Sequence, residues 1–292
     1  MRICLSSRWL EVDLDPDGAG ITSIRCRRLG ELLFAAPWPT RHDVDRGAGH
    51  RDWVEGWRGG WHLLTPNAGE AALHGGRRHP FHGDAALASW DHMATPTTVI
   101  MTWTSPDSVL VTRRVEVSDS RLTVDTTHVN RSSRPVDAAH VEHLILGEAL
   151  LTRGAHIELP RAAVIPLTDD GRRMEGVAQP DLRGAGWADV PNTPTRRFAG
   201  LVNVEPRLVV VHPSPTSTVT VRWHGLPHLW YWLELDSEPD PPWSGRVKCL
   251  GLEPASVAAS DGLAARAASH DAWRLAPGQV KRVSVELVVS EA

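Results

Sequence analysis

Residues 109–128, VLVTRRVEVSDSRLTVDTTH, alternate apolar and polar side chains on both sides of a central Ser-Asp-Ser. A period of two sends successive side chains to opposite faces of an extended chain, so the stretch reads as a β-hairpin with one buried face. Residues 218–223 (TVTVRW) and 280–290 (VKRVSVELVVS) repeat the alternation. Between such runs lie the turn-formers, with 24 Gly and 22 Pro spread along the chain. Short strands broken by turns over the whole length predict an all-β fold, a large sandwich or barrel. The best helical candidate is Gly262 to Trp273. The polar, Gly- and Pro-containing segment 170–198 reads as a surface excursion, with a lid or binding loop as the alternative.

A chain of 292 residues is long for one unit, but large all-β folds reach this size, and one domain over 1–292 is expected. Such a chain buries enough surface to need no disulfide or metal staple. Its three cysteines, Cys4, Cys26 and Cys249, are odd in number and far apart, which points away from a disulfide framework or zinc ribbon and toward a reducing, cytoplasmic setting. The N-terminus lacks the apolar core of a signal peptide, and no apolar run is long enough for a membrane span. The 31 basic and 35 acidic residues are well mixed and leave a net charge of −4. No basic stripe marks a nucleic-acid partner.

Trp occurs 13 times against three Phe and one Tyr, and His occurs 15 times. An indole face suits the C–H face of a sugar ring, and imidazole titrates near neutrality, where proton transfer is useful. Three stretches concentrate such residues. Residues 59–91 hold His62, His74, His79 and His82 among glycines, with Trp61 and Trp90 near the ends. In 138–150, strand geometry puts His140 and Glu142 on one face, and Val141, His143 and Ile145 on the other. In 223–254, Trp230, Trp232 and Glu234 share one strand face, opposite Leu229, Tyr231, Leu233 and Leu235. Further on, Glu253 shares a face with Val247, Cys249 and Gly251. A carboxylate ending an otherwise apolar strand is costly to bury, and partial burial would make it a stronger base. Gly251 would leave room for a ligand. His140-x-Glu142 imitates part of a two-His, one-carboxylate metal site, but no HExxH, phosphate loop, GxGxxG or GxSxG is present, and neither a metal nor a cofactor is expected.

Taken in order, GGWHLLTPNAG (59–69), FHGDAALASWD (81–91), VEHLILG (141–147), LPHLWYWLEL (226–235) and CLGLEP (249–254) resemble the aldose 1-epimerase family and its galactose mutarotase-like relatives. The less characterised bacterial branch is the nearest. The resemblance spans residues 59 to 254, and the closing LAPGQVKRVSVELVV agrees with it. It implies a large twisted β-sandwich that holds a small-molecule carbohydrate on its concave face. It also implies an isomerase that interconverts anomers of an aldose or modified sugar. By motif, Glu253 would be the base at the anomeric hydroxyl, His143 the acid at the ring oxygen, and His82 an assisting group. Asn67, Asp84, Trp230, Trp232 and Arg58 would bind substrate, with Arg51 as a second candidate for the arginine. The chain departs from the family where Glu142-His143-Leu144 replaces an Asn-His-Thr-Tyr type motif, and LHGG at 73–76 competes with FHGD at 81–84 for the first histidine.

Two rivals keep the site. One repurposes it for isomerisation, elimination or cyclisation of another hydroxylated substrate, and the other is a non-catalytic carbohydrate-binding protein. An exposed Trp patch would favour a homodimer.

Overall fold

A computed structural model describes residues 2–168, 174 and 189–291. Most of the 170–198 segment therefore lies outside the described residues. Two antiparallel sheets dominate. The first has ten strands, and its main path runs Ile3–Ser6, Leu10–Asp15, Gly20–Cys26, Trp61–Leu64, Val141–Leu146, Lys248–Ala255, His228–Leu235, Thr195–Glu205, Arg161–Pro166. The second has eight strands, and the expected hairpin lies within it. Val109–Ser118 pairs with Arg121–Asn130, and a two-residue turn at Asp119 and Ser120 reverses the chain. Asp119 takes φ 53° there, a left-handed conformation that Asp tolerates in tight turns. The other two alternating runs fall in Ser217–His224 and Val280–Glu291, which pair with one another; Val280–Glu291 also pairs with Arg121–Asn130.

Alternation fixes which side chains fill the space between the sheets. Leu144 and Leu146 point there from one strand, Leu229, Tyr231, Leu233 and Leu235 from a second, and Leu250 and Leu252 from a third. They meet Val111, Val115, Val124, Val285 and Leu287 of the eight-stranded sheet. The other face of the ten-stranded sheet is also covered. A second apolar cluster joins Val141, Ile145, Cys249 and Trp230 to Trp38, Trp53, Trp57, Phe81 and Trp243. Trp53 lies on the helix His50–Gly56, which the sequence reading missed. The helix expected over Gly262 to Trp273 is shorter, Leu263–Ala268, and Trp273 starts a strand.

Between the sheets lies a buried polar network. Glu142 receives Nη1 of Arg113 at 2.8 Å, Nε1 of Trp61 at 2.7 Å and a ring nitrogen of His140 at 3.0 Å. Glu142 and Arg113 have no solvent exposure. Burial alone would raise the Glu142 carboxyl, but Arg113 and His140 outweigh it and hold the pKa at about 2. An ionised Glu142 fixes the tautomers. His140 donates from Nε2 and accepts on Nδ1 from Nε2 of His128, 2.9 Å away. The metal-like His140-x-Glu142 pair thus faces a guanidinium.

Candidate active site

On the outer face of the ten-stranded sheet, register alone assembles the reactive groups. His143 stands directly opposite His62 on one neighbouring strand. On its other side Val141 pairs with Ala255 and Ile145 with Gly251, which sets His143 opposite Glu253. Glu253 in turn pairs with Trp230, and Trp230 with Gly200. Five strands thus place His62, His143, Glu253, Trp230 and Gly200 in one row across the sheet. Directly opposed residues are the closest side-chain neighbours that a sheet offers.

His143, Glu253 and Trp230 of this row floor a cleft of about 420 Å³, walled by Trp53, Trp57, His82, Arg196, Trp232, Glu238 and Trp243 among others. Nε2 of His143 lies 3.8 Å from Oε2 of Glu253, beyond hydrogen-bonding distance. Neither Oε2 of Glu253 nor Nδ1 of His143 has a partner within the protein. Buried polar atoms are ordinarily satisfied, which makes this acid and imidazole the candidate reactive pair of the cleft. Gly251 serves this arrangement differently from expectation. A Cβ there would lie 2.7 Å from Oε1 of Glu253, so the space goes to the carboxylate itself.

Burial sets the protonation of the row. It pushes the Glu253 carboxyl well above its usual range. It pushes His143 down to about 3, with His62 adding repulsion, and His62 itself down to about 4. The proton that the pair shares therefore rests on Glu253 in the empty cleft. Both imidazoles stay neutral in the folded protein at pH values where the unfolded chain, with histidines near 6.5, already binds protons. The contribution of these two histidines to stability is therefore full above about pH 6.5 and falls below it, by about 1.4 kcal/mol per pH unit for each histidine. The His143 contribution runs down to about pH 3 and that of His62 to about pH 4. Urea titrations between pH 7 and pH 4.5 check this: His143→Gln should lose one histidine's worth of the slope, and an unchanged slope would contradict the assignment.

His82 reaches the cleft from a loop. It adopts φ 59° and Gly83 φ 84°, so a tight left-handed turn presents the ring. A Cβ on Gly83 would come within 2.5 Å of the Asn67 carbonyl. The Gly69 N–H donates to Nδ1 of His82 at 3.1 Å, which leaves Nε2–H as its donor. Trp53 stands edge-on to three imidazoles, at ring-centroid distances of 4.6 Å from His82, 6.0 Å from His62 and 6.3 Å from His143. Trp57, four residues on, packs against His143 at 5.7 Å. The Trp53-Val54-Trp57 spacing is the one helical sign in this segment, too short a run to establish a period.

Of the expected binding residues, Trp230 and Trp232 line the cleft. Trp230 is almost wholly buried and donates Nε1–H to the Val257 carbonyl at 2.8 Å, so Trp232 and Trp243 offer the more open faces. Asn67 does not reach the cleft. Its Nδ2 donates to the carbonyls of Glu70 and Pro80, both at 2.8 Å, and its Oδ1 accepts the Leu263 N–H at 2.6 Å. It ties together the loop that carries His82. Asp84 is bound to Arg77 at 3.0 Å, away from the cleft. Arg58 is exposed outside it, and Arg51 is exposed and paired with Glu55. Among the described residues, the arginine that lines the cleft is Arg196. His74 pairs with Asp137, and His79 contacts Arg77, so of His74, His79 and His82 it is His82 that lines the cleft.

Neither a family model nor a curated protein sequence matches the chain. Solved structures do. One is a provisionally assigned aldose 1-epimerase from Escherichia coli K12, 16% identical, with a TM-score of 0.76 over 100% of this chain and 99% of that one. A galactose mutarotase related enzyme from Lactobacillus acidophilus is 14% identical, with a TM-score of 0.71 over 100% and 97% of the two chains. A galactose mutarotase-like protein from Lactobacillus casei is 15% identical, with a TM-score of 0.69 over 99% and 100%. The chain has the all-β sandwich fold of the galactose mutarotase-like proteins, as the ordered sequence motifs implied.

Proposed function

We propose that this protein is an aldose 1-epimerase-like enzyme: the cleft binds an aldose in its cyclic form, and His143 and Glu253 interconvert the anomers. The observation that carries this reading is the opposed pair at 3.8 Å, each member with an unsatisfied polar atom, on the floor of a tryptophan-walled cleft. Ring opening needs one proton removed from the anomeric hydroxyl and one delivered to the ring oxygen. Both oxygens sit on the same carbon, so an acid and a base this close together can serve them at once.

The cycle starts once the shared proton has passed from Glu253 to His143: Glu253 as carboxylate takes the hydroxyl proton, the bond from the anomeric carbon to the ring oxygen breaks, and His143 as imidazolium protonates that oxygen. Glu253 is then a carboxylic acid, His143 is neutral, and the sugar is an open-chain aldehyde. Rotation about the bond from the aldehyde carbon to its neighbour turns the other face inward. The acid returns its proton to the carbonyl oxygen, His143 takes back the hydroxyl proton, and closure gives the second anomer. No proton is gained or lost. The protonation that burial favours, acid on Glu253 and neutral His143, is the one that accompanies the open-chain sugar. His82 supplies an N–H donor to a substrate oxygen, and Trp232 and Trp243 supply apolar faces for the ring.

Polarimetry on freshly dissolved single anomers of a panel of aldoses tests this. The wild-type protein should speed the drift of optical rotation. His143→Gln should slow it by about 10²–10⁴-fold, the usual worth of a general acid. A wild-type rate equal to that of solvent, with sugar bound, would contradict the proposal.

A further inference from the structure

The wall of the cleft next to the reactive row carries a charge arrangement that the chemistry above does not use. Arg196 lines the cleft, yet its guanidinium is held by two carboxylates. Nε lies 2.8 Å from Oε2 of Glu234, and Nη2 lies 2.9 Å from Oε2 of Glu238. Glu234 is fully buried and is fixed further by the N–H of Ser237 at 2.6 Å, the Ser237 hydroxyl at 2.7 Å and the N–H of Glu238 at 3.2 Å. It cannot swing away to release the arginine. Glu238 shares the cleft wall with Arg196. Among the described lining residues Arg196 is the one permanent cation, and the carboxylates of Glu234 and Glu238 answer it. His143 and Glu253 share one proton and so carry no net charge between them, and burial keeps His82 neutral.

We propose that the Arg196–Glu234–Glu238 cluster selects substrates by charge, admitting uncharged and amino-substituted aldoses and disfavouring those that bear a phosphate or carboxylate. An anionic group placed against this wall would meet Glu238 and find the guanidinium already committed. To bind, it would have to displace a carboxylate from a charge-assisted pair or lie beside one in a partly desolvated site. A neutral sugar loses nothing by the same placement, because its hydroxyls can donate to Glu238. An ammonium substituent gains an opposite charge. Selectivity of this kind comes from the repulsive group, so removing Glu238 should relax it.

This inference rests on the reading of the cleft as a sugar site, and the experiment separates the two. Matched sets are compared in low salt: glucose, glucosamine, glucose 6-phosphate and glucuronate, with the corresponding galactose series. Anomer exchange is read by NMR saturation transfer, and binding is read separately by ligand-observed NMR. The neutral and amino sugars should exceed the anionic ones by at least about tenfold in whichever quantity is measurable, and 0.5 M salt should narrow the gap. In Glu238→Gln the ratio of anionic to neutral sugar should rise about tenfold, because the carboxylate that repels the anion is gone. Selective binding without exchange on any sugar would overturn the epimerase reading and leave charge selection standing. Anionic sugars handled as well as neutral ones, a ratio unmoved in Glu238→Gln, or no binding of any sugar would overturn charge selection.

Discussion

Glu253→Gln is expected to lower the rate of anomer exchange about 10³-fold while leaving sugar affinity within about threefold. The amide keeps the shape and one acceptor oxygen of the carboxyl, so the pocket stays the same to a bound ring. It cannot accept the anomeric proton, and no other carboxylate stands in the row with His143. The same substitution should stabilise the fold. The raised pKa of Glu253 means that the native protein holds a proton that the unfolded chain releases above about pH 4.5. The Glu253 contribution to stability therefore declines as pH rises past that value, and the glutamine variant lacks this decline. The variant should melt about 2–4 °C higher than wild type at pH 8, with the gap closing toward pH 5. Lost activity together with a gained melting temperature would identify a group held in place against its own solvation. Equal melting at both pH values would argue that Glu253 is solvated.

Arg113→Met is expected to cost about 3–5 kcal/mol, the largest stability effect anticipated here. Arg113 spans from the eight-stranded sheet to Glu142 in the other sheet, and neither side chain touches solvent. Methionine fills most of the volume but strands the carboxylate, with the Trp61 and His140 donors as its remaining compensation. The double variant Arg113→Met with Glu142→Gln should recover part of the loss, because the uncompensated charge is gone. Urea midpoints of the single and double variants measure this. A single-variant cost below about 1 kcal/mol would mean that the network contributes little. Because Glu142 precedes His143 on the same strand, the network also anchors the register on which the reactive row depends.

Side-chain faces were legible in the sequence because strand periodicity is strict. The division of Val141–Leu146 into an inner set with Glu142 and an outer set with His143 follows from it, as does the pairing of Trp230 with Trp232 on the cleft side. The row itself was not legible. His62, His143, Glu253 and Trp230 come from four separate strands, and only strand order and register bring them together. Periodicity gives faces but not neighbours. Arg196 was missed for a related reason. It stands near the end of a polar stretch read as a surface excursion, where Thr195 in fact opens an eleven-residue strand. Asn67 and Asp84 were assigned to substrate by motif alone, and competing donors and acceptors within the protein claim both. The short helix His50–Gly56 escaped because seven residues give too few turns for a helical period to register.

The central claim, that His143 and Glu253 act together on a sugar ring, is tested most directly by saturation transfer between the α and β anomer resonances of an equilibrated aldose. The method reads both directions of exchange without a coupling enzyme. Wild-type protein should transfer saturation on at least one uncharged aldose, and Glu253→Gln at the same concentration should return the exchange to that of buffer. Sugar that binds but shows no accelerated exchange with wild type, or exchange that survives intact in Glu253→Gln, would contradict it.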